Sequence, residues 1–327
     1  MNQDKGRAKL VGWIVLFAFT GLALLGVLGQ IATAISPIIA YSRLERNLAH
    51  VTLSEAEVVT LGSSHDVAIL PSVFGQSLTK LSTPRQNFDG SLFLWGYFQQ
   101  YLPEVDYVLL PVSILSLNQK NQVHPMAFKN LANFDESGSF GYRLEYDPDI
   151  FIRSWAASYA RVDSWEAVLR KLLDIDVERE RPSSPFIKDF ASLHVEQAID
   201  ESSRTVRRNI EKIKKLIDTV NNSGACMIFF ESPVSYSYRQ RFEELRPQFA
   251  GWKDDFSQII SETNDACVFF IPDVWPVSHS KDPHYYNDQH HLSRKGAELF
   301  SPMLRTEVDK LLKSARSSFS DRPRKTS

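Results

Sequence analysis

Two short stretches, near opposite ends of the chain, carry the residue types of one reaction. The first is "VVTLGSSHDVAIL" (58–70), an apolar run ending in a glycine and two serines; the second is "HYYNDQHHLSRKGAELF" (284–300). A serine hydroxyl is a poor nucleophile until an oriented base takes its proton. Asp288 and His291 are spaced so that the carboxylate can reach back to the imidazole Nδ1–H, fix its tautomer and stabilise the imidazolium. Attack by Ser64 on an ester carbonyl, with His291 as base and Asp288 behind it, is acyl transfer. Charge then develops on the carbonyl oxygen and calls for backbone N–H donors. The amides of Ser64 and Gly90 are the candidates, glycine letting the backbone approach without a Cβ in the way.

Each piece also has a plainer reading. A Ser-Ser pair after a strand is ordinarily a helix cap, and Asp-x-x-His alone is a weak signal. His279, Asp282, His284, Asp288, His290 and His291 are all residue types that bind divalent metals. Their spacing is loose and includes no helical H-x-x-x-H pair, so neither a metal nor another cofactor is expected. Ser63, His65 and His290 flank the proposed centre and are expected at its rim, within reach of substrate.

Residues this far apart need a scaffold that returns them to one edge. Short apolar runs at 57–62, 85–90, 105–111, 226–231 and 267–272 read as parallel strands covered on both faces. Helical stretches lie between them at 91–102, 203–222 and 239–263, with a closing helix at 293–314 that Ser293 would cap. The expectation is an α/β fold, a doubly wound five-stranded parallel sheet with its site at the carboxyl ends of the strands. An aromatic-rich stretch at 117–201 is too long for a connection. It reads as a mostly helical insertion, either a small core of its own or a cap over the site.

Composition bounds the rest. With 43% apolar residues, 12% aromatic residues and a net charge of −2 over 327 residues, the chain is globular and carries no charge signature for nucleic acid. Cys226 and Cys267 each follow an alanine at the start of an apolar run and read as buried thiols, with a bridge between them as the alternative. Residues 10–40 hold no charge and follow Lys5, Arg7 and Lys9, which reads as a transmembrane anchor. A cleaved signal peptide is the alternative, since "ATA" (32–34) has small-x-small spacing, although the apolar stretch is long for one. Arg43 and Arg46 follow the stretch, and the basic excess ahead of it places the N-terminus inside. The expected division is a cytoplasmic tip at 1–9, the anchor at 10–40, a linker at 41–56, the α/β domain at 57–315 on the external or periplasmic side, and a disordered basic tail at 316–327.

The blocks "GSSHD" and "NDQHHLSRKGAELF" resemble those of the SGNH (GDSL-like) esterase and acyltransferase superfamily. More narrowly, they are similar to its membrane-anchored members in cell-surface acylation, such as the alginate acetylation and teichoic-acid D-alanyl transfer proteins. The resemblance covers roughly 57–312 and leaves the insertion unmatched. It implies that Ser64 rather than Ser63 is the nucleophile, that Asp288 and His291 complete the triad, and that Gly90 is the glycine of the second block. It further implies a membrane-anchored O-acetyltransferase or esterase acting on an exported or cell-surface polysaccharide, with a multi-spanning membrane acyltransferase as a partner. One departure stands out. Where the family often supplies an oxyanion asparagine, the chain reads "LLPVSILSLN", with Ser113 in that place and Asn118 beyond it. A non-catalytic scaffold, keeping the fold to bind glycan or a membrane acyltransferase, is the alternative.

Overall fold

The computed structural model describes residues 52–119 and 189–319, apart from 76, 84–85, 198 and 264–266, together with scattered helical positions between 12 and 48. The chain divides into two compact units, Met1–Ala49 with His124–Arg179, and His50–Val123 with Glu180–Ser327. The second carries the sheet and the candidate site. Along it run β1 (Val58–Thr60), α1 (Pro71–Phe74), β2 (Leu78–Lys80), α2 (Phe88–Phe98), β3 (Tyr107–Val112), α3 (Phe190–Gln197) and α4 (Ser203–Asn222). There follow β4 (Cys226–Glu231), α5 (Tyr236–Leu245), α6 (Trp252–Ser261), β5 (Val268–Ile271), α7 (Val277–Ser280) and α8 (Arg294–Phe319).

The five strands form one parallel sheet in the order β2-β1-β3-β4-β5. The chain leaves β1 toward β2 on one side, while β3 and its successors lie on the other. Such a reversal opens a crevice at the carboxyl ends of β1 and β3, and Ser64 follows β1 directly. Successive strand residues face opposite sides. Val58, Leu109, Ile228, Phe230 and Ile271 join Phe74 of α1 and Phe300, Leu304 and Val308 of α8 in one apolar cluster. On the alternate positions, Phe229 and Phe270 pack against Phe256 of α6, at centroid distances of 5.2 and 5.0 Å.

Several expectations are corrected. The second strand is Leu78–Lys80, not the stretch at 85–90. There Asn87 accepts the Gly90 N–H with its side chain and starts α2 at Phe88, with Asp89 in the first turn suiting the helix dipole. The helix expected over 239–263 is two, because Pro247 lacks the N–H that would continue α5. The insertion is narrower than 117–201. Ser116–Asn118 and α3 belong to the sheet-bearing unit, and an antiparallel bridge from Gln119 to Ile199 joins the two ends. Helix α8 continues to Phe319, past the start of the expected tail.

The cysteines are not thiols: Cys226 and Cys267 form a disulfide. Cys226 opens β4 and Cys267 directly precedes β5, so each stands one residue before the register pair of Met227 and Val268. Parallel register therefore sets the two Cα atoms side by side, 4.8 Å apart, within disulfide range. The anchor expected at 10–40 falls mostly outside the described residues. Among the described residues no helix is long and apolar enough to cross a membrane.

Candidate active site

The turn that carries Ser64 is built on one glycine. Gly62 has φ +102°, and a Cβ there would sit 2.9 Å from Leu110 Cδ1 and 3.1 Å from Pro111 Cδ of β3. Only glycine takes that backbone at that distance without strain. The turn is tied to β3 by Leu61 N–H donating to the Leu109 carbonyl (2.9 Å), and to the segment after β2 by Thr83 N–H donating to the Gly62 carbonyl (3.1 Å). Ser64 then opens a 3-10 turn, Ser64–Ala68. Its own N–H has no acceptor among the described residues.

The histidine loop is held at both ends. Tyr286 and Leu292 form an antiparallel bridge, and Asn287 N–H donates to the His291 carbonyl (2.9 Å). Ser293 N–H donates to the Tyr285 carbonyl (2.8 Å), its Oγ donates to the His284 carbonyl (2.9 Å) and accepts the Gly296 N–H (3.2 Å). Ser293 thus caps α8 as expected. A Cβ on Gly296 would collide with the Tyr285 carbonyl oxygen, so this glycine lets the helix lie against the loop. From the other side, Ser235 N–H donates to the Gln289 carbonyl (2.9 Å), joining the loop to the turn after β4.

These supports bring Ser64, His291 and Asp288 together across 227 residues of sequence. Ser64 Oγ lies 2.6 Å from His291 Nε2, and His291 Nδ1 lies 2.9 Å from Asp288 Oδ2 and 3.1 Å from Oδ1. Asp288 Oδ1 also accepts the backbone N–H groups of His290 (2.9 Å) and His291 (2.8 Å). Burial would raise the Asp288 carboxyl, but the hydrogen bond and charge of His291, with the ring and N–H of His290, outweigh it. They hold Asp288 below the ordinary carboxylate range. The carboxylate is therefore ionised wherever it could support an imidazolium.

More imidazole surrounds the triad than the sequence suggested. His65 stacks on His291 at 5.3 Å and shares a 3.0 Å hydrogen bond between its Nδ1 and Ser63 Oγ. His290 is not at the rim: it is 7% exposed, with its ring 3.9 Å from that of His291. Burial first, and then the charges of neighbouring histidines, lowers His65 to about 3 and His290 to about 2. Both rings are neutral at neutral pH. Asp288, His290 and His291 present metal-binding atom types within 4.8 Å of one another. Both ring nitrogens of His291 already face Ser64 and Asp288, so an ion there would have to break the relay.

The other expected residues are placed differently. The Gly90 N–H is spent on Asn87 Oδ1 at 3.1 Å, inside the first turn of α2, and is not an oxyanion donor. Ser113 closes its own turn: its N–H donates to Ser116 Oγ (2.9 Å) and its Oγ accepts the Leu115 N–H (3.3 Å). Three residues escaped sequence reasoning. His194 of α3 packs its ring edge on His290, 4.7 Å away, and hydrogen-bonds Tyr238 of α5 at 2.7 Å. Ser301 of α8 is fully buried, donates to the Ala68 carbonyl (2.7 Å) and accepts the Leu70 N–H (2.8 Å), which fixes the far end of the Ser64 turn. A signal for Ser301 exists, because it interrupts the apolar stripe of Ala297, Phe300, Leu304 and Val308 with a hydroxyl that must find a partner. His194 and Tyr238 offer no such signal. No protein-family model matches the chain, and no curated protein matches it significantly in sequence.

Proposed function

We propose that this chain is a serine acyl-transfer enzyme of SGNH type, an O-acetyltransferase or esterase acting on a cell-surface or exported polysaccharide. The observation that carries the reading is the chain of contacts from Ser64 Oγ through His291 to Asp288. Ser64 Oγ attacks the ester carbonyl while its proton passes to His291 Nε2, and Asp288 stabilises the resulting imidazolium. The tetrahedral intermediate collapses as His291 returns the proton to the leaving oxygen. Acyl-Ser64 is then resolved by a sugar hydroxyl or by water, with His291 again taking the proton. The Ser64 amide is the available oxyanion donor. With the Gly90 amide committed elsewhere, a missing donor is worth roughly 10²–10³ in rate, and slow turnover follows.

The setting is part of the same proposal. A disulfide persists in oxidising compartments, which supports a domain outside the cytoplasm. Trp13, Leu16, Phe17, Phe19, Leu24 and Val27 are helical positions with exposed apolar side chains, as suits an anchor with its N-terminus inside. A multi-spanning acyltransferase embedded beside it would supply the acyl group. The second reading is a non-catalytic glycan-binding or docking scaffold. It is favoured by the engagement of Gly90 and Ser113 in local structure.

Fluorophosphonate labelling with peptide mass mapping separates the two. Acyl transfer predicts an adduct on Ser64 that disappears in His291→Ala. A folded chain with no adduct at Ser64 sinks the enzyme reading and leaves the scaffold.

A further inference from the structure

The donor atoms around Asp288 keep the spacing of a coordination shell. His290 Nδ1 lies 3.2 Å from Asp288 Oδ1, and His291 Nδ1 lies 3.1 Å from the same oxygen and 2.9 Å from Oδ2. Zinc bonds of about 2.0–2.1 Å, set tetrahedrally, place neighbouring ligand atoms about 3.3 Å apart. One atom from each of Asp288, His290 and His291 lies within 4.8 Å of the others, so a single ion is in reach of all three. Two imidazole nitrogens and a carboxylate oxygen are a common zinc set with the fourth position open. Imidazole favours zinc over magnesium or calcium.

The surroundings hold this set in place. The backbone N–H groups of His290 and His291 donate to Asp288 Oδ1 at 2.9 and 2.8 Å and orient the carboxylate, as outer hydrogen bonds do for ligating groups. His290 is 7% exposed, with the rings of His194 at 4.7 Å, His65 at 5.8 Å and Tyr238 at 5.9 Å around it. His194 and Tyr238 bond each other at 2.7 Å, and His65 bonds Ser63 at 3.0 Å. These rings wall the set without entering it.

We propose that Asp288, His290 and His291 form a zinc site whose filling switches Ser64 off, the ion being an inhibitor and not a cofactor. The inhibition rests on the acyl-transfer reading above; the metal site does not. In the relay, His291 carries its proton on Nδ1, facing Asp288, and accepts the Ser64 proton at Nε2. Zinc bonds Nδ1 only once that proton has left it. The proton moves to Nε2, the ring stays neutral and none is released. Nε2 then donates toward Ser64 Oγ and has no lone pair for the hydroxyl proton. Asp288, its charge taken up by the ion, no longer supports an imidazolium. Base and carboxylate are lost in one step, and removing the ion returns both.

The test titrates zinc chloride into the full chain, with magnesium chloride as control. Binding is followed by calorimetry, alongside the rate of fluorophosphonate labelling at Ser64. At free zinc about ten times the measured dissociation constant, labelling should fall about elevenfold, the share of chain left metal-free by mass action. EDTA should restore it, and magnesium should leave it unchanged. His290→Phe keeps a ring and removes a ligand. Losing even an outer partner costs about 10–100-fold in metal affinity, so zinc binding and inhibition should weaken by at least that much, measured against the variant's own zinc-free rate. In the unmodified chain, ¹⁵N-histidine spectra should show zinc moving the signals of His290 and His291 and not those of His279 and His284. That measurement decides if the phenylalanine variant does not fold. Zinc bound only at His279 or His284, labelling that continues with the site filled, or a folded phenylalanine variant inhibited like the unmodified chain overturns the proposal. Calorimetry and spectra need no reactive serine. A chain that takes zinc here yet never labels, even with EDTA, keeps the metal site and fails the acyl-transfer reading alone.

Discussion

The Ser64–His291–Asp288 relay and the ion cluster around Glu231 are both polar, both partly buried, and both stand where strands of the sheet end. They are assembled on opposite rules. Glu231, 7% exposed at the end of β4, accepts from Arg239 at 2.7 Å, contacts Lys253 Nζ at 2.8 Å and takes the Asp273 N–H at 3.0 Å; Lys253 also pairs with Asp273. Two acids and two bases answer one another, so the cluster is neutral at rest and has nothing left to offer. Around Asp288 the partners are dipoles: two backbone N–H groups and imidazoles, of which His65 and His290 are held neutral. In the reaction proposed above, that second group gains an ion pair as His291 takes the proton from Ser64. A buried charge cluster that is complete holds a fold; one that becomes complete during a reaction favours the reaction.

The contrast breaks most sharply under reciprocal substitution. Ser64→Ala should abolish labelling while leaving stability within about 0.5 kcal/mol, since the hydroxyl is not part of a packing contact. Glu231→Gln should do the reverse. It leaves Arg239 and Lys253 without their shared carboxylate and costs about 3 kcal/mol in chemical denaturation, with the folded fraction labelling at the unmodified rate. If Glu231→Gln silences Ser64 in folded protein, the two clusters are one system and the distinction is lost. Ser301→Ala lies between them. It strands the Leu70 N–H and the Ala68 carbonyl, costing about 2 kcal/mol, and it loosens the Ser64 turn, so stability and labelling rate should fall together.

The smallest effect is a pH dependence confined to the relay. His65 and His290 have folded values below 6.5, so the unfolded chain binds more protons there. Their contribution is present above about pH 6.5 and is lost as pH falls toward about 3 for His65 and about 2 for His290. Asp288, also lowered, adds its loss below its unfolded value of 3.8. Denaturation midpoints should therefore drop between pH 7.5 and 5. His65→Phe should flatten that slope, and an unchanged slope in that variant would remove His65 from the account.

Much of this was legible in the sequence, for identifiable reasons. Strands β1, β3 and β4 are short apolar runs with no alternation, and they are buried as that pattern requires. Helix α4 has the bounds expected of it, and Ser64, Asp288 and His291 meet at one sheet edge. What misled was local chemistry. "RQNFDG" has the glycine of a turn, but Asn87 in front of it makes a helix cap, and the cap consumes the amide that looked free. The disulfide was missed because two cysteines 41 residues apart say nothing until the strands are placed in register. His290 was assigned to the rim because adjacent histidines in a polar loop look exposed. Its burial depends on α3 and α5, elements with no sequence mark tying them to that loop.

Helix α8 has a consequence for timing. Its first turn seats the base through Ser293 and Gly296, and two turns later Ser301 fixes the turn that carries the hydroxyl. A ribosome makes Ser64 more than two hundred residues before the histidine that meets its hydroxyl. On the proposed acyl-transfer reading, the serine is an ordinary alcohol until that segment emerges and docks. The growing chain would then pass through synthesis and any translocation without a reactive centre, and chemistry would begin with the seating of one late helix.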